Sequence, residues 1–248
     1  MKILVCISCV PDTTSKINFK NNNTIFDEQG VQFVINPNDE FGLTRAIWFK
    51  EKAGATVDVL HVGEDKADPT LRKALAIGAD KAIRIDTPAT DAFVVADQIS
   101  EYIQVNPYDL IIAGRESIDY NGSMVPGMIA AKCDLAFVNT CVKLEIDGST
   151  ASATREMDGG MEVLRVELPM IIGSQKGLVE ETDLRIPNMR GIMQARQKPL
   201  TVVRNIDSSS KTAISSFEKP APKAAVKLVP ANDIDQLIDL LQNEAKVL

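Results

Sequence analysis

The chain is short of the residues that usually carry chemistry on their own. It has one histidine, His61, and one tryptophan in 248 residues, and aromatics make up only 5% of it. With a single histidine sitting in an apolar run, no Ser-His-Asp or Cys-His set can be assembled. Four cysteines, Cys6, Cys9, Cys133 and Cys141, are too scattered for a disulfide framework or a four-ligand zinc site. Cys6 and Cys9 have CxxC spacing, but Cys6 lies inside an apolar run and no second pair or histidine is near. No apolar run approaches the ~20 residues of a membrane-spanning helix. Neither G-x-G-x-x-G nor G-x-x-x-x-G-K-[ST] occurs, so the two standard phosphate-loop fingerprints are missing. Basic charge is in deficit too, 27 Lys and Arg against 34 Asp and Glu. A net charge of −7 disfavours nucleic acid and anionic membrane as partners, because both need clustered cations. A cytoplasmic protein whose redox or ligand chemistry belongs to a cofactor is the expectation.

What is present is an alternation of strand-like and helix-like segments. Apolar runs at Lys2–Ile7, Ala55–Val62, 81–86 and 109–114 predict strands. Between them, Asn38–Ala53 reads as a helix opened by Asn36-Pro37. In the next, Asp68 is the expected N-cap, Pro69 the first turn and Gly78 the stop. Thr90 is the expected cap of a third helix, with Ile99, Tyr102 and Ile103 facing inward. Strands alternating with helices predict a Rossmann-like α/β fold around a parallel sheet. From about residue 136 the pattern switches. Turn signals at Asp147-Gly148 and Asp158-Gly159-Gly160 predict antiparallel hairpins over about 136–174, a β flap on the sheet. After Arg204 the chain is rich in Ser, Pro and Lys, which predicts an extended arm over 205–248. Its end is amphipathic, with Ile234, Leu237, Ile238 and Leu241 on one stripe, and predicts a terminal helix that either docks on its own domain or, the favoured reading, wraps a partner.

Parallel α/β sheets bind ligands outside the carboxyl ends of their strands. The loops that would meet there are Ser8–Thr13, Gly63-Glu64 and Arg115–Gly127. The last is polar and leads into a helix starting near Val125. Asn121, Gly122 and Ser123 there can offer N–H groups and a hydroxyl to an anion. An ordinary capped helix would present the same residues.

The stretch Thr154–Gly173, "TREMDGGMEVLRVELPMIIG", sharpens the reading. Ala153, Arg155, Asp158-Gly159-Gly160, Glu162, Leu164 and Pro169 followed by two aliphatics resemble the signature of the electron transfer flavoprotein beta subunit. Further matches are "VPDTTSKI", "INPNDEFGLTRAIWFKEK" from Ile35, "LRKALAIGADKAIRID" from Leu71, "GRESID" from Gly114 and "NMRGIMQARQKPL" from Asn188. The resemblance covers about residues 1–204. It implies a nucleotide-binding domain over 1–204, of the adenine nucleotide alpha hydrolase-like kind. It also implies a heterodimer with an alpha subunit that holds most of an FAD. Electrons would pass from dehydrogenases, such as acyl-CoA dehydrogenases of fatty acid oxidation, through FAD to a quinone-linked acceptor.

Carried over by position, the resemblance assigns an adenine nucleotide, AMP or a second FAD, to a definite set of residues. They are Cys6, Asn36, Pro37, Asn38, Asp39, Val62 and the loop Gly114, Arg115, Glu116, Ser117, Ile118, Asp119, Tyr120, Asn121, Gly122, Ser123, Met124 and Val125. It puts Thr13, Asn38 and Arg165 near the alpha subunit's FAD, where a guanidinium can balance negative charge on a reduced flavin. It makes 184–196 a partner-docking loop, with Leu184, Met189, Ile192, Met193 and Arg196 exposed to dehydrogenases. Val125 and "VPDTT" are similar to electron-bifurcating members, which oxidise NADH through a second FAD. Pro126-Gly127 reverses the Gly-Pro often seen in those members, Tyr120 is unusual for either type, and AMP is slightly favoured. The alternative from another class is a stand-alone adenine-nucleotide-binding regulator of the universal-stress type, without flavin.

Overall fold

The computed structural model describes residues 1–223 and 225–248. Its strands are β1 (Lys2–Cys6), β2 (Cys9–Pro11), β3 (Phe19–Lys20), β4 (Ile25–Phe26), β5 (Phe33–Ile35), β6 (Thr56–Val62), β7 (Lys81–Asp86), β8 (Leu110–Gly114), β9 (Ala136–Asp147), β10 (Thr150–Met157), β11 (Gly160–Glu167), β12 (Met170–Ser174) and β13 (Leu200–Arg204). The helices are α1 (Pro37–Ala53), α2 (Asp68–Ile77), α3 (Ala92–Val105), α4 (Val125–Cys133), α5 (Met189–Ala195) and α6 (Ile234–Asp239).

One sheet runs in the order β11-β10-β9-β12-β8-β1-β6-β7-β13. The pairs from β9 through β13 are parallel, whereas β9, β10 and β11 pair antiparallel as a meander. This is a Rossmann-like α/β fold with the expected flap. Central strands are apolar on both faces because both are covered. On one face Ile3, Val5, Val57 and Val59 pack with Leu43 and Ile47 of α1 and Leu71 and Leu75 of α2. On the other, Leu4, Leu60, Ile83 and Ile111 pack with Ile99 and Ile103 of α3 and Ile129 of α4. Period-two alternation therefore feeds two cores, and only the flap shows the in-out pattern of a half-exposed sheet.

Several local expectations are corrected. Asp68 does not cap α2. A short 3₁₀ turn, Asp65–Ala67, precedes the helix, and the Asp68 carboxylate accepts instead from Arg84 Nε at 2.8 Å. Arg84 is buried, so pairing it outweighs a cap. Thr90 yields the cap of α3 to Asp91, whose Oδ1 accepts from the Val94 N–H at 2.8 Å. Helix α1 begins one residue early, at Pro37, whose fixed φ suits the first turn. The expected docking loop contains a helix, α5, capped by Asn188 through the Gly191 N–H at 2.8 Å. Strand β13 was not expected and forms the outer edge beside β7.

Candidate functional site

The carboxyl ends of β1, β6 and β8 open onto a cavity of about 340 Å³. Of the residues assigned by position, Cys6, Asp39, Val62, Gly114, Glu116, Ser117, Asp119, Tyr120, Gly122, Ser123, Met124 and Val125 line it. Asn36, Pro37, Asn38, Arg115, Ile118 and Asn121 do not, and hydrogen bonds account for several of them. Asn36 Nδ2 and Asn38 Nδ2 both donate to the Glu116 carbonyl, at 2.9 and 3.0 Å, and Asn36 Oδ1 accepts from the Ile118 N–H at 3.2 Å. These asparagines shape the 114–125 loop from behind. Arg115 pairs with the Glu116 carboxylate at 2.7 Å.

Asp39 is the hub of the floor. It is 2% exposed, and its two oxygens accept from the Ser8 N–H at 2.7 Å and the Gly114 N–H at 2.8 Å. One carboxylate thus joins the first turn of α1 to the ends of β1 and β8. Burial pushes its carboxyl up to about 7, although the N–H donors favour the charged form. Gly114 has no room for a side chain. A Cβ there would lie 2.2 Å from Asp39 Oδ1 and 2.9 Å from Asn36 Nδ2.

The mouth is built for backbone recognition. Asn121 and Ser123 both adopt φ of 49°, and no side chain caps α4 at Met124. Left-handed residues alternating in a loop turn N–H groups to one side, and an uncapped helix start adds its dipole. Ser123 Oγ donates to the Glu116 carboxylate at 3.0 Å, which with Arg115 offsets the nearby negative charge. Burial raises the Cys6 thiol strongly and the Cys9 thiol to about 11, which disfavours the thiolate that a nucleophile needs. Among the described residues, no group of three or more His, Cys, Asp or Glu could hold a metal ion. His61 is a half-buried member of the cavity wall, with its Nδ1–H donating to the Ile7 carbonyl at 2.8 Å. Burial pushes its imidazole down, which favours the neutral form.

Sequence reasoning missed Ala89 to Ala92 and, from the arm, Thr212, Ala213 and Ile214, which also line the cavity. Asp91 was legible as a capping residue type before an apolar periodic run. The arm residues carried no periodic signal.

Of the other two predicted sets, Asn38 supports the 114–125 loop, and the remaining residues lie apart from the cavity. Arg165 is exposed on the edge strand β11, in register with Ser152, and shares its face with exposed Met161 and Val163. Thr13 is exposed in the turn after β2. Leu184 is half-buried against the α1-side core, while Met189, Ile192, Met193 and Arg196 are exposed on or just after α5, with Ile186 beside them. Helix α5 sits on α2 because Gly191 allows it; a Cβ there would come within 2.3 Å of the Ala76 carbonyl. Among the described residues, no helix is long and apolar enough to cross a membrane.

A largely parallel sheet with helices on both faces and a cavity outside its central carboxyl ends defines a doubly wound α/β protein. A family model described as electron transfer flavoprotein domain matches residues 23–208. Relatives match along essentially the whole chain. Identity is 37% over 253 residues with the electron transfer flavoprotein subunit beta of Syntrophomonas wolfei subsp. wolfei, covering 100% of this chain and 98% of that protein. It is 33% over 262 residues with the subunit beta of Bacillus subtilis, covering 100% of both. It is 30% over 266 residues with the caffeyl-CoA reductase-Etf complex subunit CarD of Acetobacterium woodii, covering 99% and 98%. The chain belongs to the electron transfer flavoprotein beta-subunit family, and electron transfer is its field of action.

Proposed function

We propose that this chain is the beta half of a heterodimeric electron transfer flavoprotein. It holds AMP in its cavity and supplies one wall of an FAD site whose remainder belongs to an alpha subunit. The observation that carries the reading is the cavity itself. It sits where doubly wound sheets bind nucleotides, its floor excludes a Cβ at Gly114, and its mouth presents the uncapped start of α4. A volume of about 340 Å³ is near the lower end of the roughly 300–1,000 Å³ typical of small-molecule sites, which favours a mononucleotide over a dinucleotide.

The residues fit the group. The apolar wall of Cys6, Val62 and Ala113 suits a base, and the backbone around Gly122 to Val125 suits a phosphate. FAD, when bound between the subunits, supplies the one- and two-electron chemistry. The chain's own contribution is electrostatic and steric. Arg165 brings a fixed cation to the face of β11, where it would offset negative charge gained on reduction. Met161 and Val163 beside it give an apolar surface for the partner subunit. Met189, Ile192 and Met193 offer a flexible apolar patch to dehydrogenases such as acyl-CoA dehydrogenases, with electrons leaving to a quinone-linked acceptor. The arm 205–248 extends the alpha-subunit contact.

Nucleotides released by denaturing the complex decide the reading: one AMP and one FAD per heterodimer are expected. Two FAD and no AMP would replace it with the electron-bifurcating version.

A further inference from the structure

The arm does more than leave the domain. Besides a bond of 2.6 Å between the Thr90 and Ser210 hydroxyls, it is tied down at three places. Gln98 of α3, 2% exposed, holds Ile206 through both amide atoms: Nε2 donates to the Ile206 carbonyl at 2.9 Å and Oε1 accepts from the Ile206 N–H at 3.0 Å. Asp91 divides its carboxylate. Oδ1 caps α3, and Oδ2 accepts from the N–H groups of Lys211 at 2.6 Å and Thr212 at 3.0 Å. Phe217 then stacks on Phe19 with ring centroids 4.6 Å apart and planes within 3°, while its N–H donates to the Asn23 carbonyl at 2.7 Å. From the second tie toward the third run Thr212, Ala213 and Ile214, which line the cavity that Cys6 and Gly114 also line.

The segment between the ties has neither helix nor strand and is mostly exposed. Few bonds therefore hold it, and such segments open locally without unfolding the domain. We propose that residues 206–217 are a retaining strap of the nucleotide site, latched by the second oxygen of Asp91, so that bound nucleotide leaves only when the latch opens. The strap extends past residue 208, where the family match ends. The inference rests on the adenine-nucleotide reading of the cavity.

Asp91→Ser separates the latch from the cap. Serine is a good N-cap with a single oxygen, so α3 keeps its start while Lys211 and Thr212 lose their acceptor. Phe217→Ala releases the other end without touching α3. Labelled AMP is loaded on the full chain and its release followed after dilution, alongside amide hydrogen exchange of 206–217. Both variants should release AMP at least tenfold faster, with at least tenfold faster exchange confined to 206–217. Release and exchange within twofold of the parent in both variants overturn the strap. Faster exchange with unchanged release overturns its retaining role. A parent chain that binds no AMP sinks the nucleotide reading and the strap's role together, and is told apart by the missing signal before any substitution.

Discussion

Gly114→Ala places one methyl group in the floor of the cavity. The new Cβ would lie 2.2 Å from Asp39 Oδ1, 2.9 Å from Asn36 Nδ2 and 3.0 Å from Asn38 Cβ. None of these neighbours can swing away. Asp39 is held by the Ser8 and Gly114 N–H groups, and the two asparagines by the Glu116 carbonyl. Overpacking a filled site costs about 1–3 kcal/mol. Displacing Asp39 from the Gly114 N–H forfeits a bond to a charged group, about 1.5–3 kcal/mol. The sum is about 2.5–6 kcal/mol, and at about 2–4 °C per kcal/mol for a chain of this length, Tm should fall by roughly 5–24 °C. Because the methyl also pushes the floor into the cavity, AMP affinity by calorimetry at low temperature, where the variant stays folded, should fall at least tenfold. A variant melting within 2 °C of the parent and binding AMP equally well would refute the Asp39–Gly114 floor.

Further outcomes can be checked on the same material. Arg165→Ala in the reconstituted heterodimer should lower the flavin midpoint potential by some tens of millivolts, since about 59 mV is tenfold in a one-electron equilibrium; Arg165→Lys should recover most of it, and an unmoved potential removes Arg165 from the role. Asp39, raised from 3.8 to about 7, binds its proton more tightly in the folded chain, so it stabilises at low pH and that stabilisation fades as pH rises through 7. Denaturant unfolding at pH 5 and pH 7.5 should show the parent losing about 2–3 kcal/mol relative to Asp39→Asn, a comparison that cancels the opposing trend of His61 below its ordinary value. Equal pH dependence in the two would contradict the raised carboxyl. Met189→Asp and Met193→Asp, both on exposed side chains, should leave Tm within about 2 °C yet slow reduction by a partner dehydrogenase at least tenfold, as followed by flavin bleaching.

The legible part of the fold was the part that depends on local pattern. Strand β7 begins and ends at Lys81 and Asp86 as expected, because a short apolar run is bounded by turn residues. The flap was announced by its two Gly-containing turns, at Gly148 and Gly159, both with positive φ. What escaped was set by tertiary partners. Asp68 looks like a cap until the buried guanidinium of Arg84 claims it. Leu200–Arg204, no shorter than β1, lies where the domain gives way to the Ser- and Pro-rich arm, and becomes a strand because the open edge of β7 accepts it. The arm over the cavity is held by Gln98 and Asp91, single side chains on another element, which no periodicity in the arm could reveal. Of the site, the strand-end loops were foreseeable from the topology of a parallel sheet, whereas the division between lining residues and supporting asparagines was not.

The proposed function requires that this chain share a flavin with a partner and keep a nucleotide of its own. Gentle purification of the chain from its native source, followed by native mass spectrometry and an absorption spectrum, tests that claim most directly. A yellow one-to-one heterodimer whose mass includes one FAD and one AMP is the predicted result. A colourless protein, alone or paired only with itself, would contradict it.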